Sequence, residues 1–194
     1  MPQTVSKSYE VFTLSELSEK AKEKVCDQYR AEYEFEMDEE VLIEMLKQRY
    51  SNIHDMEIRY SGFYSQGDGA SFTGTLDSDW IIKESGFVSE ELQDLIGHVD
   101  CTFERGLSRY VHENTCSTEL NTIDSSFEEN SCSGDGVEEA LHAIVECYRK
   151  SVCHIIYTEL ENHYNHCTSD EIVLENFMDR DDTLFFEDGT IFDK

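Results

Sequence analysis

Two groups of residues in this chain have types and spacings suited to chemistry. The first is Ser65-Gln66-Gly67-Asp68-Gly69, a polar run punctuated by glycines, followed further along by Tyr110, His112 and Glu113. A phenol, an imidazole and a carboxylate gathered at one turn support acid–base work on a small ligand. The glycines also outline a phosphate-cradling loop, but Asp68 is the wrong charge and the Lys of a Walker motif is missing. A tight turn, with Asp68 and Ser65 bonded to the backbone, is the simpler reading of the same residues. The second group is Cys147, Cys153, His154, His163, His166 and Cys167. On a helix, His163 shares a face with residues three and four later, so it and Cys167 present two metal ligands together. No CxxC or HExxH accompanies them, and a structural zinc needs further ligands from elsewhere; buried thiols on helix faces are common for packing alone. No metal and no cofactor is expected. GxSxG is absent too, and spacing assigns no base to Ser65, Ser71, Cys101 or Cys116, so no catalytic residue is named.

Hydrophobic periodicity supplies the elements that must position these groups. Leu14, Leu17, Ala21, Val25, Tyr29 and Tyr33 recur every three or four residues and predict a helix, with capping side chains in Thr13-Leu14-Ser15-Glu16. A second helix is predicted from about Asp38 to Asn52, with Val41, Leu42, Met45 and Leu46 as its apolar stripe. The period then drops to two. Residues 53–60 read as a strand with Met56, Ile58 and Tyr60 on one face, Gly67-Asp68-Gly69 as a hairpin turn, and 70–76 as the return strand. Trp80-Ile81-Ile82 reads as a short strand or a connection, and Ser89 caps a short helix stopped by Gly97. Residues 101–111 and 115–123 suggest a second hairpin, which places Tyr110, His112 and Glu113 at a strand end facing the glycine turn. A polar stretch, 124–136, reads as an acidic surface loop. The longest helical pattern follows from Val137 to about His166, with a stripe that includes Ala140, Leu141, Ile144, Val145, Tyr148, Val152, Ile155, Ile156 and Leu160. A shorter helix begins at Ser169, and 184–192 reads as a small terminal hairpin turned at Asp188-Gly189. The expected fold is α+β: an antiparallel sheet of about four strands against N-terminal helices and a long C-terminal helix, in one domain spanning 1–194.

Composition bounds the function. The chain has 194 residues, of which 39% are hydrophobic, enough for a core, so general disorder is excluded. Its 43 acidic side chains against 15 basic ones give a net charge of −28. Such a surface repels bare nucleic acid and anionic membrane, and its natural counterpart is a basic protein surface. No run of eighteen apolar residues occurs and the first residues lack the apolar stretch of a signal peptide. The seven cysteines, an odd number, are therefore expected as reduced thiols in the cytoplasm. The charge is uneven. Residues 110–194 carry 20 acidic and 4 basic side chains, whereas 1–109 carry 23 and 11. One account is a solvated acidic face that maintains solubility; the other is a ligand surface for a protein that normally holds phosphates. Duplex DNA carries one charge per roughly 1.7 Å of axis, so 28 charges match at most about 48 Å of it. The count suffices for mimicry.

Three segments together resemble a family of small acidic, mostly uncharacterised proteins encoded by tailed bacteriophages and prophages. They are 14–24 with Tyr29-Arg30, the run Ile58-Arg59-Tyr60-Ser61-Gly62-Phe63-Tyr64-Ser65-Gln66-Gly67-Asp68-Gly69-Ala70-Ser71-Phe72, and 156–171 with Phe186-Glu187-Asp188-Gly189. Tyr110-Val111-His112 is similar to a shorter family element. The middle segment is the most specific. The chain departs from the family pattern in its many cysteines and in the acidic loop at 124–136. The resemblance implies a phage or prophage origin and action in the cytoplasm of a bacterial host, and it brings no catalytic residue or cofactor with it. Some such proteins carry an antitoxin label. By analogy, small acidic phage proteins block host defences by occupying nucleic-acid-binding surfaces.

The expected function is therefore a non-catalytic inhibitor of a host nucleic-acid-binding protein, such as a CRISPR effector, a restriction enzyme or a recombination nuclease. Its partner-binding residues are expected to be Asp124, Glu128, Glu129, Asp135, Glu138 and Glu139. One alternative is an enzyme or small-ligand protein whose site is the 61–72 hairpin with Ser65, Gln66, Asp68, Tyr110 and His112. Another is an antitoxin-like partner for a basic toxin.

Overall fold

The computed structural model describes residues 7–77, 80–81, 89–97, 99–106, 108–122, 135–178, 180 and 182–192. Its strands are β1 (Ile53–Ser61), β2 (Gly69–Leu76), β3 (Val99–Arg105) and β4 (Cys116–Thr122). Its helices include α1 (Glu19–Glu32), α2 (Glu36–Arg49), α3 (Glu90–Ile96), α4 (Asp135–Cys167) and α5 (Asp170–Met178). The strands form one antiparallel sheet in the order β1-β2-β3-β4, so the class is α+β with a long C-terminal helix. The chain divides into two compact units, Met1–Met37 with Asn162–Lys194, and Asp38–Glu161.

The Asp38–Glu161 unit holds the sheet. β1 pairs with β2 from Ile53↔Leu76 to Ser61↔Gly69, with an extra residue between His54 and Glu57. Asp55 takes φ 52° in that bulge. The bulge resets the alternation, so Ile53 and Met56, three apart, are both buried. Phe72 of β2 and Phe103 of β3 meet edge to face at 4.9 Å in the core.

Over α4, Leu141, Val145, Val152, Ile156 and Leu160 are buried as the periodicity requires, Tyr148 and Ile155 are half-buried, and Ala140 and Ile144 of the same pattern stay at the surface. Arg149 occupies the middle of the buried row.

Three sequence expectations shift. On α2 the inward face runs Leu42, Leu46 and Tyr50, while Val41 and Met45 are 65% and 61% exposed. The Glu39 carboxylate accepts the Tyr60 hydroxyl proton of β1, and residue 39 lies on the same helical row as 42, 46 and 50. The bond lies on the side where Leu46 and Tyr50 are buried, and in that rotation Val41 and Met45 face outward. The second hairpin is shorter than its apolar pattern. β3 stops at Arg105 and β4 starts at Cys116, leaving Tyr110, Val111 and His112 in the connection rather than at a strand end. There the Thr115 hydroxyl donates to the His112 carbonyl at 2.8 Å and the Thr115 amide donates to the same oxygen at 2.9 Å. This closes a 3₁₀ turn over Glu113–Thr115, a local alternative to a ladder. Finally, Trp80 and Ile81 are helical. The ring of Tyr148 of α4 lies against Trp80, centroids 4.0 Å apart and planes tilted by 39°, and Ile81 is buried.

The other unit has its own core of Leu14, Leu17, Ala21, Val25, Cys26, Val173, Phe177 and Phe185. Glu16 accepts the Thr13 amide at 2.8 Å, and Ser18 caps α1 by accepting the Ala21 amide at 3.2 Å. Arg30 of α1 donates to the Thr168 carbonyl at 3.0 Å and pairs with Asp170, so α1 is tied to the start of α5. Residues 184–192 fold back through an antiparallel bridge between Phe185 and Ile191, and Phe185 also bridges Phe12. At the turn, Gly189 (φ 85°) passes so close to Ala21 that a Cβ would lie 2.2 Å from its carbonyl oxygen.

A concavity beside the glycine turn

The loop from β1 to β2 is organised by one carboxylate. Asp68 Oδ2 accepts the amides of Tyr64 at 2.9 Å and Ser65 at 2.5 Å, and the Asp68 amide donates to the Ser65 carbonyl at 3.1 Å. Gly62 (φ 32°) lies under that carboxylate, and a Cβ there would meet Asp68 Oδ2 at 2.7 Å. The β3–β4 connection then packs on the loop. The Tyr110 ring covers Gly67, and the Ser61 hydroxyl donates to the Val111 carbonyl at 3.2 Å. Gly69 has no room for any side chain, because a Cβ would sit 2.6 Å from His112 Cβ. Sequence-distant segments, the glycine hairpin and Tyr110 with His112, are thus brought together.

Between them opens a concavity of about 360 Å³. Its walls are Gly67 to Ala70 of the hairpin, His112, Glu113 and Asn114 of the 3₁₀ turn, and Cys153, His154 and Tyr157 of α4. Ser65 and Gln66 are exposed on the loop and do not line it. Tyr110 also stands outside: it is 45% exposed, and Arg109 stacks on its ring at 4.7 Å. His112 Nδ1 accepts the Asn114 amide at 3.1 Å, which leaves Nε2 for other work. Asp68, His112 and the neighbouring Glu113 of the first sequence group reach the space, and so do Cys153 and His154, which the sequence offered only as metal candidates. The α4 wall was the missed part. Cys153, His154 and Tyr157 share a helix face by spacing, but nothing in that spacing tells which strand they meet.

Behind the concavity lies a buried polar cluster that the sequence did not disclose. Arg149 is 2% exposed; it donates Nε to Glu146 Oε2 at 2.8 Å, Nη2 to Glu146 Oε1 at 2.5 Å and Nη1 to the Glu113 carbonyl. Glu146 also accepts the Thr118 hydroxyl at 2.9 Å. These hydrogen bonds, with Arg149 first among them, hold the Glu146 carboxyl down at about 2. The neighbouring thiols go the other way. Burial pushes Cys153 up to about 12 and raises Cys116, whose Sγ donates to the Phe72 carbonyl at 2.9 Å. A protonated, buried thiol is a poor nucleophile and a poor metal ligand.

The acidic candidates are only partly in view. Glu138 and Glu139 are exposed on the first turns of α4, beside His142 and Leu120. The backbone of Asp135 opens that helix, two residues earlier than its apolar pattern suggests. Asp124, Glu128 and Glu129 lie outside the described residues. Of the His and Cys group, His163 Nε2 and Cys167 Sγ approach to 3.8 Å as their spacing requires. Among the described residues no three His, Cys, Asp or Glu side chains gather as a metal site, and no helix is long and apolar enough to cross a membrane.

Residues 20–170 match the family "Domain of unknown function (DUF8835)". The chain belongs to that family. No curated protein and no solved structure matches it. The DUF8835 span takes in the whole sheet, the hairpin loop, the 3₁₀ turn and all of α4, so every wall of the concavity lies inside it. Leu14, Leu17 and most of α5 fall outside it.

Proposed function

We propose that this protein is a phage-encoded, non-catalytic binding protein that occupies the basic nucleic-acid groove of a host defence protein. One observation carries the reading: among the described residues, eight of the thirteen Lys and Arg side chains face a carboxylate of the chain itself. Lys22 faces Glu19, Lys24 faces Asp188, and Arg30 faces Asp27 and Asp170. Lys47, Arg49 and Arg59 face Glu44, Glu159 and Glu57, and Arg149 and Lys150 share Glu146. Exposed pairs of this kind add little stability, but they consume the positive field. With a net charge of −28, carboxylates far outnumber the cations left to meet a partner. The chemistry around the glycine turn points the same way, since Asp68 holds the loop and the nearby thiols are protonated.

Capture from a bacterial lysate, followed by elution with salt and then with competing duplex DNA, tests the reading. A basic nucleic-acid-binding protein should be released steeply as salt rises from about 50 to 200 mM, and DNA should displace it. Glu138→Lys with Glu139→Lys should weaken capture. Binding that ignores both salt and DNA overturns the proposal.

A second reading has its own support. The concavity beside the glycine turn, with His112, His154 and Tyr157 on its walls, has the size of a small-ligand site. Under it, alanine at His112, His154 and Tyr157 abolishes ligand binding while charge reversal at Glu138 and Glu139 changes nothing.

A further inference from the structure

Resting on the reading of the chain as an anionic binder of basic proteins, we propose that the concavity beside the glycine turn receives an arginine side chain of the partner. Three features of the space select that group. Two carboxylate-bearing residues line it from different elements, Asp68 from the hairpin and Glu113 from the 3₁₀ turn. Asp68 is held by backbone amides and pairs with no cation among the described residues, and the Glu113 carboxylate makes no hydrogen bond or ion pair among them either. Tyr157 of α4, whose ring packs on Phe63 at 5.8 Å, supplies an aromatic wall. No Lys or Arg is among the described residues that line the space. The buried cation behind it, Arg149, is already matched by both oxygens of Glu146.

A guanidinium suits this arrangement for stated reasons. It is planar, always charged and weakly hydrated, it presents five donors in a fork, and it stacks on aromatic faces. Acidic residues on two walls and an aromatic residue on a third surround such a fork with negative charge and a ring, although Asp68 Oδ2 is already taken by the Tyr64 and Ser65 amides. A lysine ammonium is a compact, strongly hydrated point charge and gains less from a ring. The volume of about 360 Å³ lies at the small end of ligand sites and leaves ample room for a guanidinium and its stem. Free arginine carries the same guanidinium together with its own carboxylate, which Asp68 and Glu113 repel. An arginine within a polypeptide lacks that penalty.

The test uses the full chain labelled with ¹⁵N and three probes: the capped tripeptide acetyl-Gly-Arg-Gly-amide, its citrulline counterpart of equal shape and no charge, and free L-arginine. The arginine tripeptide should shift the amides of Gly67, Gly69 and Asn114 saturably, and the citrulline peptide should not. Glu113→Gln, which removes a charge without breaking any side-chain bond, should weaken the tripeptide at least about five-fold, a little over 1 kcal/mol by the tenfold-per-1.4 conversion. Equal shifts from the citrulline peptide, or unchanged affinity in Glu113→Gln, overturn the pocket. Tighter binding of free arginine than of the tripeptide overturns the partner assignment. If salt and Glu138/Glu139 reversal control capture of a basic protein while the tripeptide leaves these amides still, the pocket fails and the electrostatic reading stands. If the tripeptide binds while capture ignores salt, the electrostatic reading fails and the pocket stands.

Discussion

Arg149 and Glu146, one turn apart on α4, are locked by two parallel hydrogen bonds of 2.8 and 2.5 Å, with the guanidinium 2% exposed. The third arm of the guanidinium reaches the Glu113 carbonyl, so the pair also fastens the long helix to the turn that carries His112 and Glu113.

Removing one partner should therefore be costly. Arg149→Leu strips two hydrogen bonds from the Glu146 carboxylate, which keeps Thr118 and Lys150, and one from the Glu113 carbonyl, and breaking a buried pair in this way costs about 3–5 kcal/mol. Glu146 is partly open to solvent, which places the expected loss near the lower figure. The double change Arg149→Leu with Glu146→Leu should recover part of it. Urea midpoints of the three proteins measure both effects.

The same pair makes a stability term that depends on pH. Glu146 is held at about 2 against an ordinary 4.5, chiefly by the Arg149 hydrogen bonds. A carboxyl with a depressed folded-state pKa stabilises the fold above its unfolded value and loses that contribution as pH falls toward its folded one. The difference in unfolding free energy between the native chain and Glu146→Gln should thus be constant above about pH 5.5 and shrink between about pH 4.5 and 2. A difference that stays flat through that window contradicts the assignment.

Glycine substitutions should split by position. Gly69→Ala drives a Cβ to 2.6 Å from His112 Cβ and should cost about 1–3 kcal/mol. Gly136→Ala meets nothing within 4 Å inside a helix and should stabilise by about 0.5–1 kcal/mol. Thermal unfolding of the two variants, with opposite signs expected, is the check.

Rotation of α2 is testable through its apolar residues. Val41→Gln and Met45→Gln, both mostly exposed, should change stability by no more than about 0.5 kcal/mol. Leu46→Ala, at 3% exposure, should cost about 2–5 kcal/mol. The reverse ranking in denaturant unfolding would mean that the helix faces the sheet through its other side.

Thiol reactivity should follow burial. Cys147 is exposed, whereas burial raises Cys101 to about 11 and Cys153 to about 12. Alkylation of the folded chain at about pH 8, mapped by mass spectrometry, should mark Cys147 well before Cys101, Cys116 or Cys153. Early modification of Cys153 is the contrary result.

Sequence alone determined what depends on neighbours along the chain. Helical spacing from Leu141 to Leu160 disclosed α4, alternation and paired glycines disclosed the β1–β2 hairpin, and the charge count argued against bare nucleic acid as a direct partner, because each of these is set by local geometry or by composition. Tertiary structure decided what depends on residues far apart. It chose the face of α2 by burying Leu46 and Tyr50 on the side where Tyr60 donates to Glu39, and it shortened the second hairpin through the His112–Thr115 turn. It also placed a charged side chain, Arg149, in an apolar row, where only the carbonyl of Glu113 and the carboxylate of Glu146 make burial tolerable. The concavity itself has walls from three segments, and no periodicity within one segment encodes which others it will meet.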